Sequence, residues 1–467
     1  MTAVQPNRFI LPAFVAGAVA CGAAIAVQPL MTVGLFASCA VLALAIAAPV
    51  AHLVLLLLVL AIVPFELQNS LGIGGGTNSP GLVASDVLVL TGLLRAALVL
   101  PRQPMDARRL AVGVALLVFI LVATLQFLHG LSAGRPPGDV GAEYRTLFVF
   151  STFFIALPIL DDPVQRRKFI AALLPLGIML GLWGIVQWIG GFAFSGAGDF
   201  GVREGVSFTS AGIGQVQGGL FAFPVALVLG FAMLLLPSRQ SRSARLALVA
   251  LVALNGVSLL LTFERTLWIA TVLGLGFVTV RAGRAQRAKA LIWMAIAAAI
   301  AFAAFATVAP GQLTTARERL LSLGQYDTDG SLRYRIVESR YVGDKISERP
   351  ILGSGLADTI RWARPWEGVP ARTYRYTHNS YLSYMWRLGV PAALLFFALL
   401  AWAIVARGAD ARAPAGALRN GAQGALLALA VISVTFAAFN GLGITPVFGL
   451  LFAMVATSLP PRGREPR

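Results

Sequence analysis

Histidine and cysteine are scarce in this chain, three and two among 467 residues, and that scarcity removes several chemistries. His52, His129 and His378 stand in three separate segments, so no histidine-built metal centre is expected. Cys21 and Cys39 fall inside apolar runs and read as small packing residues, not as a disulfide or a metal pair. No Gly-x4-Gly-Lys-Ser/Thr loop is present, and Gly72 to Gly76 lacks a following Lys and reads as a flexible turn. His-Glu-x-x-His is absent, and the loops assigned below to the cytoplasm hold no Asp-x-Asp pair for a divalent ion. The chemistry to expect is free of metal, ATP and resident cofactor.

Charge is scarce as well. Only 12% of residues are charged and 58% are hydrophobic, with mean hydropathy +0.80, outside the range of soluble domains. Apolar runs near 9–27, 30–48, 50–64, 81–100, 110–130, 145–160, 168–190, 212–236, 244–263, 266–281, 288–309, 379–406, 419–437 and 442–458 predict membrane helices, the third and sixth of them short. The fold expected is an all-α polytopic membrane protein of about 14 (12–14) transmembrane helices. Ala18 to Cys21 loosely resembles a lipoprotein cleavage box, but the run continues to Val27, so 9–27 reads as a retained first helix.

The formal net charge of +17 orients the chain and does not point to nucleic acid. With the N-terminus inside, the clusters at Arg102 to Arg109, Arg166 to Lys168, Arg239 to Arg245, Arg281 to Lys289, Arg407 to Arg419 and Arg462 to Arg467 all fall on the cytoplasmic side. Both termini are then cytoplasmic. Residues 1–309 form helices 1–11, 310–378 an outer loop, and 379–467 the last three helices and a tail. The loop holds eleven Lys or Arg and eight Asp or Glu, about a third of all charges in the chain.

That loop ends in Tyr376-Thr377-His378-Asn379-Ser380-Tyr381, at the mouth of the next helix. Thr377 or Asn379 is a candidate cap there, and a helix N-terminus attracts anions. His378 is either an anchor at the interface or a general base, and the residues alone leave both open. Arg265, in Thr262-Phe263-Glu264-Arg265-Thr266 between two apolar runs, suits an anion, although Glu264 offers a local ion pair. Arg145 is expected to open an outer-side helix. Arg317, Arg319, Arg333, Arg335 and Arg340 lie in the loop, the last three in a helix-compatible run from Ser331 to Glu348 whose charges read mostly as a solvated face. Several outer arginines converging on a pyrophosphate would suit guanidinium geometry. Together they outline an interfacial site for a lipid-borne phosphate or pyrophosphate.

These residues resemble the O-antigen ligase superfamily. Its pattern His-Asn/Ser/Gln-x9-Gly-x-x-Gly/Thr/Tyr is similar to His378-Asn379 followed by Gly389-Val390-Pro391-Ala392, with Ala392 departing at the last place. Arg335 before Pro350-Ile351-Leu352-Gly353-Ser354-Gly355 resembles the family's arginine before Pro-Leu-Leu-Gly-x-Gly. The turn at Arg265 resembles a Ser-Arg-Gly/Thr turn, with Glu264 in place of the small hydroxyl residue. The resemblance covers about residues 205–405. It implies a glycosyltransferase moving a glycan from undecaprenyl pyrophosphate to lipid A-core at the periplasmic face of the inner membrane. His378 would be the base, Arg265 and Arg335 would hold the donor pyrophosphate, and Arg145 joins them on topology. Asn379, Arg333 and Arg340 would support the site.

Two related activities compete, O-antigen polymerase and protein O-oligosaccharyltransferase. A single large outer loop and a chain ending at Arg467 favour the ligase over these two. A transporter or flippase is the alternative of a different class. Against it, polar residues mid-helix are few (Gln187, Asn255, Ser258), no acidic relay is visible, and transport gives no reason for so long an outer loop.

Overall fold

The computed structural model describes residues 29–62, 83–103, 105–190, 220–236, 241–308, 313–314, 317, 330–364, 369–408, 414–441 and 443–458. Its helices are α1 (Pro29–Ala47), α2 (Pro49–Ile62), α3 (Ala84–Val99), α4 (Ala107–Ser132), α5 (Pro137–Phe148), α6 (Thr152–Asp161), α7 (Pro163–Gly190), α8 (Ala222–Leu234) and α9 (Arg242–Leu260). There follow α10 (Arg265–Arg281), α11 (Arg284–Val308), α12 (Gly330–Glu348), strands β1 (Ile360–Arg364) and β2 (Val369–Tyr374), α13 (Ser380–Leu388), α14 (Val390–Val405), α15 (Pro414–Ile432) and α16 (Thr445–Thr457).

Among the described residues, seven helices are long and apolar enough to cross a membrane, and five shorter apolar helices accompany them. The protein is a multi-pass membrane protein. The expected helix at 9–27, the Gly72 to Gly76 turn, Cys21, Arg319 and the cluster after Arg462 lie outside the described residues.

Two-sided apolarity marks the lipid face. On α4, Val112, Leu116, Phe119 and Ala123 are buried, while Leu110, Val114, Leu117, Leu121, Leu125 and Leu128 on the other face are exposed. A soluble helix would be polar there. Cys39 is likewise exposed on α1, against the expectation that it packs inside. In contrast, every residue of α16 except Val447 is buried, which explains its apolar sequence. Close packing of α7 on α9 depends on small residues. Asn255 Nδ2 donates to the Gly177 carbonyl at 2.8 Å and Ser258 Oγ to that of Gly181 at 2.7 Å. A Cβ on Gly184 would collide with Ser258.

Two expectations are corrected. The chain is mostly helical but not all-α, because β1 and β2 pair antiparallel, with Ile360 opposite Tyr374 and Trp362 opposite Arg372. Alternation explains the hairpin, since Ile360 and Trp362 are buried and Arg361 is exposed between them. With Val342 of α12 and Trp386 of α13 they form a small core outside the helical bundle.

The run 379–406 is also not one helix. It breaks at Gly389, whose φ of +86° lies where side chains are strained, and a Cβ there would strike the Ile351 carbonyl. The Pro350 to Gly355 segment presses against this break. Val390 N donates to the Pro350 carbonyl at 2.8 Å, Ser354 N to that of Trp386 at 2.8 Å, and Gly355 N to that of Arg387 at 3.1 Å. The two glycine-bearing segments thus form one backbone junction, which fixes the direction of α13.

Candidate active site

The cap of α13 is Asn379, whose Oδ1 accepts from Tyr381 N at 3.0 Å and Leu382 N at 3.2 Å. His378 therefore stands immediately before the helix mouth. Its backbone N–H donates to Glu338 Oε2 at 2.9 Å, Thr377 Oγ1 donates to the same oxygen at 3.1 Å, and the imidazole Nδ1 lies 3.2 Å from both carboxylate oxygens. Glu338, on α12, is 1% exposed. An ionised carboxylate only accepts, so Nδ1 carries the proton facing Glu338, and in the neutral imidazole Nε2 keeps the lone pair. Among the described residues Nε2 has no hydrogen-bond partner, and the half-buried ring is flanked by Tyr334 at 5.2 Å and Tyr376 at 5.6 Å.

Arg335 precedes Glu338 by three positions on α12, so both project from one face. Its guanidinium lies over the Phe436 ring, 5.5 Å from the centroid. Phe436 is tied to the start of α13, since Ser380 Oγ donates to its carbonyl at 2.7 Å and Ser380 N to that of Ser433 at 2.9 Å. Its neighbour Thr435 donates to Thr266 Oγ1 at 3.0 Å, and Thr266 follows Arg265, the first residue of α10. Four chain segments, far apart in sequence, thus meet at one place.

The turn before Arg265 is strained. Phe263 has φ +52°, left-handed for a non-glycine residue, and is buried with Trp188 at 5.8 Å and Phe305 at 6.0 Å. Such a conformation costs on the order of 1–3 kcal/mol and persists where packing over-determines it. Here it joins α9 to α10, whose first residue is Arg265.

The other expected residues are placed differently. Arg145 does not open its helix, which begins at Pro137, and its Nε donates to Asp86 Oδ1 at 2.7 Å, joining α5 to α3. Arg333 and Arg340 are exposed. Two residues past Glu338, Arg340 lies about 200° around the helix, on the far side of α12. Asn379 serves the site as the helix cap. Among the described residues, no group of three His, Cys, Asp or Glu could hold a metal ion.

Glu338 is the residue that sequence reasoning missed. A signal was present: it interrupts the stripe Tyr334, Val337, Val342 and Ile346, which covers the small outer core. An acid inside an apolar stripe needs a partner. Also missed was the clamp behind the site. Arg387, 3% exposed, donates to Glu143 Oε2 at 2.6 Å, and the same oxygen accepts Ala357 N at 2.6 Å. Arg387 reaches the Arg375 carbonyl as well, while Asp358 takes Arg135 at 3.2 Å and Trp386 Nε1 at 2.9 Å. These contacts fasten the Gly355 segment between α5 and α13.

Within the bundle, a cavity of about 400 Å³ runs between α7, α8, α9, α15 and α16, lined by Leu174, Leu180, Val225, Leu229, Leu248 and Leu450 among others. It extends to Ala222, whose neighbour Phe221 meets the Phe436 ring at 5.7 Å. Phe436 is the ring beneath Arg335. This apolar channel runs from Ala222 to Leu418, early in α15.

No curated protein matches the chain. Residues 250–397 match the family described as O-antigen ligase, and they include Arg265, Arg335, Glu338 and His378. The match supports a glycosyltransferase-type enzyme and implies lipid-linked glycan substrates. The chain carries an O-antigen ligase domain over residues 250–397, consistent with the O-antigen ligase superfamily.

Proposed function

We propose that the protein transfers O-antigen glycan from undecaprenyl pyrophosphate to lipid A-core at the periplasmic face of the inner membrane. The observation that carries this reading is the convergence of a Glu338-held His378 with Arg335 and the Arg265 turn. His378 Nε2 takes the proton of an acceptor sugar hydroxyl as that oxygen attacks the anomeric carbon. The bond from that carbon to the pyrophosphate oxygen breaks, and Arg335 and Arg265 stabilise the charge that the leaving group gains. The donor is already activated, so the step needs no ATP. The proton on His378 then passes to water or to the departing pyrophosphate.

The apolar channel supports a lipid-borne donor, because a polyprenyl chain stays in apolar surroundings at about 0.8 kcal/mol per buried CH₂. In this reading it takes that chain while the head reaches Arg335. Orientation follows from the charge clusters, which place both termini in the cytoplasm. Asp86 already engages Arg145, so Arg145 is assigned to holding α3 on α5 and only secondarily to the donor.

The acceptor distinguishes ligase from polymerase and from protein glycosylation. Purified protein given polyprenyl-pyrophosphate glycan is offered lipid A-core, a second donor molecule, or a serine-bearing protein, without ATP. Product on lipid A-core alone is expected. Chain extension on the second donor, or glycosylated protein, reassigns the chain within the superfamily.

A further inference from the structure

The end of the bundle away from His378 gathers three guanidiniums. Arg281 is the last residue of α10, about 24 Å along the axis from Arg265 at 1.5 Å per residue. Arg407 follows α14, and Arg419 lies early in α15. Backbone contacts draw the three ends together. Arg281 donates to the Val405 carbonyl at 3.3 Å, and Gln423, one turn after Arg419, donates to those of Ala403 at 2.9 Å and Ala406 at 2.8 Å. Arg281 is within Coulombic range of both Arg407 and Arg419. Among the described residues no Asp or Glu pairs with any of them.

Arg419 is the telling member. It is 4% exposed, and among the described residues its side chain makes one hydrogen bond, a long one of 3.3 Å from one terminal nitrogen to Asn420 Oδ1. Its Nε and other terminal nitrogen are buried without a partner, as is Gln423 Oε1. A buried guanidinium with unmet donors is costly, and two like charges nearby add to the cost. The carbonyls at the end of α14 offset part of this through Arg281 but leave Arg419 unmet. A phosphate would meet all three, because its oxygens match the planar donor fork. Val280 and Val405, 69% and 61% exposed, border the cluster with apolar surface, as at a depth where lipid headgroups lie.

We propose that Arg281, Arg407 and Arg419 form a phosphate-binding site at the end of the bundle opposite His378, filled by an anionic lipid headgroup or by soluble phosphate. This site is independent of the transfer reaction and stands or falls separately.

The full chain in detergent, offered equal phosphatidylglycerol and phosphatidylcholine, is weighed by native mass spectrometry. A parallel arm follows Tm in inorganic phosphate against chloride at equal ionic strength. The wild type is expected to retain phosphatidylglycerol preferentially. Arg419→Gln and Arg407→Gln should each weaken retention at least about tenfold, the worth of one charge-assisted bond. Arg407 is exposed, so its substitution keeps the proposal testable if Arg419→Gln fails to fold. A Tm rise in phosphate without lipid preference, lost in Arg407→Gln, supports the same site with a soluble source. Wild type with neither lipid preference nor phosphate response overturns the proposal. So does unchanged binding in Arg407→Gln and in a folded Arg419→Gln, which would mean that water between Arg419 and Gln423 satisfies the buried donors.

Discussion

His378 Nδ1 lies 3.2 Å from both oxygens of Glu338, a carboxylate 1% exposed and forty residues earlier in the chain. This contact fixes the imidazole tautomer and points Nε2 into the site. Glu338→Gln should therefore lower kcat at least about tenfold and leave the donor KM nearly unchanged, because the carboxylate acts through the base. Glu338→Asp should recover part of the rate. A Glu338→Gln enzyme with raised KM and normal kcat would instead place Glu338 in binding.

Arg335 and Arg265 are expected to act on the donor. Arg335→Ala and Arg265→Ala should each lower kcat/KM by about 10²-fold or more, the scale of losing a charge-assisted contact in the transition state. Lysine at either position should restore little, since a point charge does not reproduce a two-pronged contact. Arg361→Ala, exposed on β1, is the control. Equal losses at all three positions would show that the outer region needs positive charge in general.

Gly389→Ala tests the junction under α13. Its φ of +86° and the nearby Ile351 carbonyl leave no place for a methyl group, so a loss on the order of 1–3 kcal/mol or more is expected. Tm in detergent measures it. An unchanged Tm would mean that the junction does not set the direction of α13.

Filling the apolar channel should separate the donor's tail from its head. Ala226→Trp narrows the cavity lined by Val225 and Leu229 and should raise KM for a long polyprenyl donor far more than for a short-chain analogue. Equal effects on both donors would remove the channel from the reaction.

Local signals carried most of what could be read before the fold was known. The membrane helices announce themselves by apolar runs, and His378-Asn379 is marked by its place before a helix. Gly389, Gly353 and Gly355 could be noticed as a pattern, yet only the folded chain shows that they let two backbones touch. Glu338 was hidden by distance, forty residues from its histidine, and Glu143 lies 244 residues from Arg387. Pairing over such separations leaves no trace in composition or period. The hairpin was missed because its buried alternation, Ile360 and Trp362, is short and set in a polar stretch. For Arg145, sequence shows the charge but not the Asp86 that meets it.

The most direct test of the central claim is single-turnover glycan transfer by purified wild type and His378→Gln, with undecaprenyl-pyrophosphate glycan as donor and lipid A-core as acceptor. Donor binding is measured in the same preparations. Loss of the base should reduce transfer on the order of 10²–10⁴-fold while donor affinity changes little. Transfer by a well-folded His378→Gln protein within a few-fold of wild type would contradict the assignment of His378 as base, and with it the mechanism built on its contact with Glu338.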